Sequence, residues 1–254
     1  MARSNLIILD REKVASKVIT CGDPGRVILY AKNLLEDRES IESDRNFVAF
    51  TGTYKGQRFS ILQHGIGGSS AETVIGDLPT NVKLLVRIGS GEANRTEMKR
   101  GELVIPEAAL KTGGVVSEIE TAGYKPDVTA DPELVASLRK SADSYRIKNY
   151  GGLAFSSDTF FIGRKRPPRQ AVIVDMESAT VLALGNLFGI KTATVLMVNN
   201  NLINDKGYAL ARTLTEEYRL QVGKVVLDAL AQIEVSPGPN KIDKIFGTDW
   251  TPKG

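Results

Sequence analysis

The sequence predicts an α/β fold: a central, mostly parallel or mixed twisted sheet flanked by helices. Three observations predict it. Short runs rich in β-branched residues alternate along the chain with segments of helical period. The run Leu84-Leu85-Val86-Arg87-Ile88 is apolar without alternation, as in a strand covered on both faces. Glycines stand just beyond predicted strands at Gly22, Gly65 and Gly89, and Asp175 and Asn199 fall at such ends too, where ligands gather in open α/β sheets. No internal repeat or interdomain linker interrupts the pattern. Residues 1–254 are read as one domain, with 236–254 a C-terminal tail rich in Pro, Gly and Lys.

Residues 18–20 read as a short strand, after which Asp23 caps a helix reaching about residue 35, with Pro24 at its first position. Residues 47–54 and 57–63 read as a hairpin joined at Lys55-Gly56. Gly65-Ile66-Gly67-Gly68 opens a helix over 70–78, and the Arg87 strand ends in a Gly89-Ser90-Gly91 turn. A strand over 103–105 closes at Pro106, and 111–131 has little periodicity and reads as loop. Asp131 and Pro132 cap a helix to about 144; a strand over 172–174 leads into a helix over 176–188 that Gly189 ends. Residues 192–198 form a β-rich strand. Thr213-Leu214-Thr215-Glu216 is a capping box, opening a last helix with Leu214, Tyr218, Val222, Val225, Val226 and Leu230 on one side. The tail is either loose or packs Phe246 and Trp250 on a neighbour.

Composition narrows the function classes. Lys and Arg number 33 against 30 Asp and Glu, a net +3 too balanced to argue for nucleic-acid binding. One cysteine, Cys21, excludes an internal disulfide framework and fits a reducing cytoplasm. One histidine, His64, argues against a structural zinc site and reads as structural rather than catalytic. No apolar stretch reaches membrane-spanning length, and the N-terminus lacks the apolar region of a signal peptide. A cytoplasmic protein with no membrane and no nucleic-acid partner is expected.

Arg87 carries the strongest chemical signal. A buried guanidinium keeps its proton and needs an anion beside it. That anion is either a small oxyanion such as phosphate, with glycine N–H groups beside it, or an internal Asp or Glu. Gly22-Asp23-Pro24-Gly25-Arg26 places a helix N-terminus and a second arginine after a strand, which also favours an anion, or is a plain turn. Gly65-Ile66-Gly67-Gly68 has the context of a dinucleotide loop, but the next strand ends in Arg87-Ile88-Gly89 instead of an acid, which discounts a hydride-transfer enzyme. Asp175-Met176-Glu177-Ser178 either places acids in a first helical turn or lets Glu177 accept two hydroxyl bonds from a sugar. Phe160 either stacks on a flat base or joins the core with Phe161, and Asn199-Asn200-Asn201 either turns or reads a heterocycle edge.

Five motifs in this order resemble the hexameric branch of the nucleoside phosphorylase family, which holds uridine phosphorylases and purine nucleoside phosphorylases. They are Gly22-Asp23-Pro24-Gly25-Arg26, Gly65-Ile66-Gly67-Gly68-Ser69-Ser70, Arg87-Ile88-Gly89-Ser90-Gly91, Ser156-Ser157-Asp158-Thr159-Phe160-Phe161 and Asp175-Met176-Glu177-Ser178-Ala179-Thr180, and the resemblance covers roughly residues 4–232. It implies that Gly22, Arg26, Arg87 and Ser90 hold phosphate, with Arg45 lent to the neighbouring subunit's phosphate. Met176 and Glu177 would hold the ribose. Phe160, Arg164, Arg166 and Asn200 would meet the base. Arg87, Glu177 and Asn200 would carry the chemistry, with no cofactor, no metal and phosphate as co-substrate. A homo-hexamer, a trimer of dimers with shared sites, is implied. Two departures stand out. Leu6 occupies the place of a family histidine, and Asn200 that of the purine enzymes' aspartate or the uridine enzymes' arginine. The resemblance implies reversible phosphorolysis of a uridine or purine nucleoside to free base and ribose 1-phosphate. Hydrolysis on the same fold and non-catalytic nucleoside or phosphate binding are the alternatives.

Overall fold

The computed structural model describes residues 10–43, 45–162, 167–204, 214–235 and 237–246. Strand β1 (Lys17–Cys21) is buried throughout and leads into helix α1 (Pro24–Leu34). Asp23 caps that helix, accepting from the Gly25 N–H at 2.8 Å. Strand β2 (Glu36–Ser40), fully exposed, is an edge strand that sequence patterning did not reveal. Its charged residues suit an edge. Strands β3 (Ala49–Tyr54) and β4 (Gln57–Gln63) form the expected hairpin, turned by positive φ at Lys55 and Gly56. Helix α2 (Gly68–Gly76) and the long strand β5 (Leu84–Ala93) follow.

Beyond β5 come β6 (Leu103–Val104), β7 (Ala108–Ala109), α3 (Gly114–Thr121) and α4 (Pro132–Ser144). Strands β8 (Asn149–Tyr150), β9 (Leu153–Ser156) and β10 (Ala171–Asp175) lead to α5 (Ser178–Phe188), β11 (Lys191–Asn201), α6 (Glu216–Ala231) and α7 (Ile242–Phe246). The sheet runs β2-β3-β4-β1-β5-β10-β9-β7, and β11 pairs with both β5 and β6. It is mixed: β1 lies parallel to β4 and β5, whereas β10 runs antiparallel to β5. Helices α1, α4 and α6 pack together, as do α2, α3, α5 and α7.

Four expectations change. The segment Gly89-Ser90-Gly91 is not a turn but the middle of β5, because β11 pairs with β5 from Lys191↔Leu84 to Asn201↔Ala93. Within the expected loop 111–131 lies α3, whose buried Val115 and Val116 supply too few apolar positions for a periodic signal. Helix α5 starts two residues later than expected, so Asp175, Met176 and Glu177 precede its first turn. The last helix is capped by Thr215, which accepts from the Tyr218 N–H at 3.2 Å, while Thr213 lies outside the described residues. The near part of the tail packs on the chain itself. Asn240 donates to the Pro79 and Val82 carbonyls at 3.1 Å, and Ile242 is fully buried. Trp250 lies outside the described residues.

Candidate functional site

Strand β5 changes neighbours partway along one edge. It pairs with β1 as far as Thr20↔Arg87 and with β10 only from Val174↔Glu92. Between those registers the edge opens, and a cavity of ≈ 940 Å³ occupies the gap. Gly22, Gly65, Gly89, Asp175 and Asn199 all line it, although Gly89 and Asn199 lie within β5 and β11 and not beyond their ends. Gly22 is required there because a Cβ would lie 2.8 Å from the Gly65 carbonyl oxygen.

Arg87 stands at the floor, 3 % exposed. Its charge is met inside the chain by two carboxylates, the internal alternative of the two that the sequence left open. Nη1 donates to Asp175 Oδ2 at 2.7 Å and to Ser178 Oγ at 3.4 Å. Nη2 donates to Glu177 Oε2, and Nε donates to His64 Nε2 at 3.2 Å. These bonds account for four of its five N–H groups. Burial opposes the charge on Arg87, but Glu177 and then Asp175 more than offset it. Gly89 makes room: a Cβ there would lie 2.5 Å from Arg87 Nη1.

The two carboxylates are not equivalent. Asp175 also accepts from Ser156 Oγ at 2.7 Å, from Ser178 Oγ at 2.6 Å and from the Ser178 N–H, the first of α5, at 3.0 Å, so it is fixed. Among the described residues, Glu177 has only the Gly67 N–H, at 2.7 Å, besides Arg87. Burial raises the Glu177 pKa; Arg87 opposes this and Asp175 adds to it, for a net upward shift. Glu177 is thus the more easily released partner. His64 is fully buried, and burial followed by repulsion from Arg87 holds it neutral. Because its Nε2 accepts, its proton sits on Nδ1. Cys21 is buried beside the site with a thiol pushed up to about 11 by burial, which makes it inert.

Arg26 reaches across from the first turn of α1, and its Nη1 donates to the Ile88 carbonyl at 2.9 Å on the open edge of β5. Its Nε–H is buried with no hydrogen-bond partner among the described residues. A cationic donor left so at a pocket wall suits an incoming anion. Ser90 is exposed to the same cavity and Met176 lines it half-buried. The cavity is also lined by Phe160, 50 % exposed and edge-to-face with Phe161 at 5.1 Å, and by Asn200, whose Nδ2 donates to Glu92 Oε1 at 3.5 Å. Arg45 is exposed and is not among the lining residues. Leu6, Arg164 and Arg166 lie outside the described residues.

Sequence reasoning missed Glu92 and the true partners of Arg87. An acid two residues beyond Ser90 in the same run was the available signal for Glu92. Among the described residues, no group of three or more His, Cys, Asp or Glu side chains could hold a metal ion, and no helix is long and apolar enough to cross a membrane.

Residues 16–231 match the family model described as the phosphorylase superfamily. The chain is similar to the purine nucleoside phosphorylase of Plasmodium vivax, 31% identical over 202 residues that cover 76% of this chain and 81% of that one. It is similar to the uridine phosphorylase of Thermococcus kodakarensis, 30% identical over 216 residues and 77% of each chain. A crystal structure of purine nucleoside phosphorylase from Toxoplasma gondii in complex with immucillin-H shares the fold, with a TM-score of 0.75 at 24% identity, covering 87% of this chain and 92% of that one. With a match that spans most of its length, this chain belongs to the phosphorylase superfamily.

Proposed function

We propose that the chain catalyses the reversible, phosphate-dependent cleavage of a nucleoside to free base and ribose 1-phosphate. The observation that carries the reading is one pocket lined by two buried guanidiniums, a buried glutamate with a releasable bond, and an exposed aromatic ring. Phosphate binds at Arg26, Arg87, Gly22 and Ser90. Glu177 leaves Arg87 Nη2 and accepts the ribose hydroxyls beside Met176. A phosphate oxygen then bonds to the anomeric carbon as the glycosidic C–N bond breaks, and its electron pair leaves with the base, which takes up a proton. Positioning and fixed charge supply most of the acceleration. Phe160 stacks on the base, with Asn200, Arg164 and Arg166 at its edge. No cofactor is required.

Arg45 serves the phosphate of a neighbouring subunit in a hexameric trimer of dimers. Its exposure supports this, as do the exposed apolar side chains of Ile66, Phe160, Phe161 and Ile162 around the pocket, which a partner would cover. The protein works in the cytoplasm. Base release from uridine, inosine and adenosine, followed with and without inorganic phosphate, tests the reading: the phosphorylase needs phosphate, and undiminished release without it identifies a hydrolase.

A further inference from the structure

The base end of the pocket holds a charged group that the roles above leave unused. Glu92 lines the cavity, half-buried, near the end of β5. It is the register partner of Asn200 on β11 and of Val174 on β10, so two flanking strands fix its backbone. The bond from Asn200 Nδ2 to its Oε1, at 3.5 Å, joins the two side chains on one pocket wall. An amide offers one acceptor and two donors, whereas an ionised carboxylate only accepts. Together they form a surface on which hydrogen-bond acceptors outnumber what a carbonyl-rich base edge can use.

We infer that Glu92 is the specificity-determining residue of this pocket, its carboxylate accepting the exocyclic amino group of a base and disfavouring uracil. This rests on the reading of the pocket as a nucleoside site. At the edge away from the ribose, uracil presents one N–H, between two carbonyl oxygens. A carboxylate that takes that N–H sets its own oxygens against a carbonyl. Adenine and cytosine each present an amino group with two hydrogens, enough for Glu92 and for Asn200 Oδ1 together. Carboxylates and asparagine amides read amino-bearing bases in the same way elsewhere in recognition chemistry. Hypoxanthine, with a single N–H beside one carbonyl, falls between these cases.

The test is equilibrium binding of free adenine, cytosine, hypoxanthine and uracil to the whole protein and to Glu92→Gln and Glu92→Ala. In the unaltered protein adenine and cytosine bind at least about tenfold more tightly than uracil, as expected for one charge-assisted hydrogen bond. Glu92→Gln, which keeps size and the Asn200 contact, and Glu92→Ala both narrow that ratio by about tenfold. Uracil binding as tightly as adenine, an equal loss for every base in the variants, or no base binding at all would overturn the inference. Base binding needs no phosphate, so a preserved preference without ribose 1-phosphate formation would sink the phosphorylase reading alone. Unfolding midpoints of the variants keep misfolding apart from lost recognition.

Discussion

Replacing Glu177 with Gln should make the protein bind inorganic phosphate more tightly while it loses turnover. In the structure Glu177 occupies Arg87 Nη2, so phosphate must compete with a carboxylate already in place. The pair is 4 % and 7 % exposed at its side chains, so solvent screens it little. A hydrogen bond between charged groups contributes about 1.5–3 kcal/mol, and that is the stabilisation phosphate must match. The amide side chain of the Glu177→Gln variant can still accept from the Gly67 N–H, but it neither competes as a charge nor repels the incoming dianion. Removing the competition predicts about a 10- to 100-fold gain in phosphate affinity, at about 1.4 kcal/mol per tenfold. Calorimetric titration of substrate-free protein with phosphate reads this directly. Turnover should fall, because a neutral amide holds the ribose hydroxyls and stabilises a sugar cation less well. Equal or weaker phosphate binding in Glu177→Gln would leave the Arg87 pair a purely structural ion pair.

Further outcomes follow from the same network. Arg87→Met leaves two buried carboxylates without their cation and should cost about 3–5 kcal/mol in urea unfolding; adding Glu177→Gln should restore part of it, and additive losses would argue against coupling. His64 is held neutral when folded, so its contribution is complete above its unfolded pKa of 6.5 and is lost as pH falls below it. The unfolding midpoint of the native protein should therefore drop between about pH 7 and 5.5 more steeply than that of His64→Gln, and parallel curves would contradict this. Gly89→Ala should displace the guanidinium that a Cβ would meet at 2.5 Å and lower kcat/KM by about 10²-fold or more. Activity near the native value would show that Arg87 need not hold its place.

Much of this architecture was legible in the chain. The hairpin, α1, α4 and the buried strand around Arg87 follow from turn residues, caps and apolar runs, which are local signals. β2 was not, because an exposed edge strand of charged residues has no apolar face to betray it. Nor was the course of β5 through Gly89-Ser90-Gly91: local glycine preference pointed to a turn, and long-range pairing with β11 overrode it. The site divides in the same way. That Arg87 needed an anion was readable from burial alone. Which anion was not, because Asp175 and Glu177 arrive from β10 and its connection to α5, some 90 residues away along the chain. Glu92 was hidden for the same reason, since the register with Asn200 sets it beside that residue in the pocket lining.

Whether phosphate is the nucleophile can be read by supplying phosphate labelled with ¹⁸O at all its oxygens together with adenosine, then analysing the sugar product by mass spectrometry. Attack by phosphate gives ribose 1-phosphate that retains every labelled oxygen, formed in step with free base. Free ribose carrying an unlabelled solvent oxygen would instead identify water as the nucleophile.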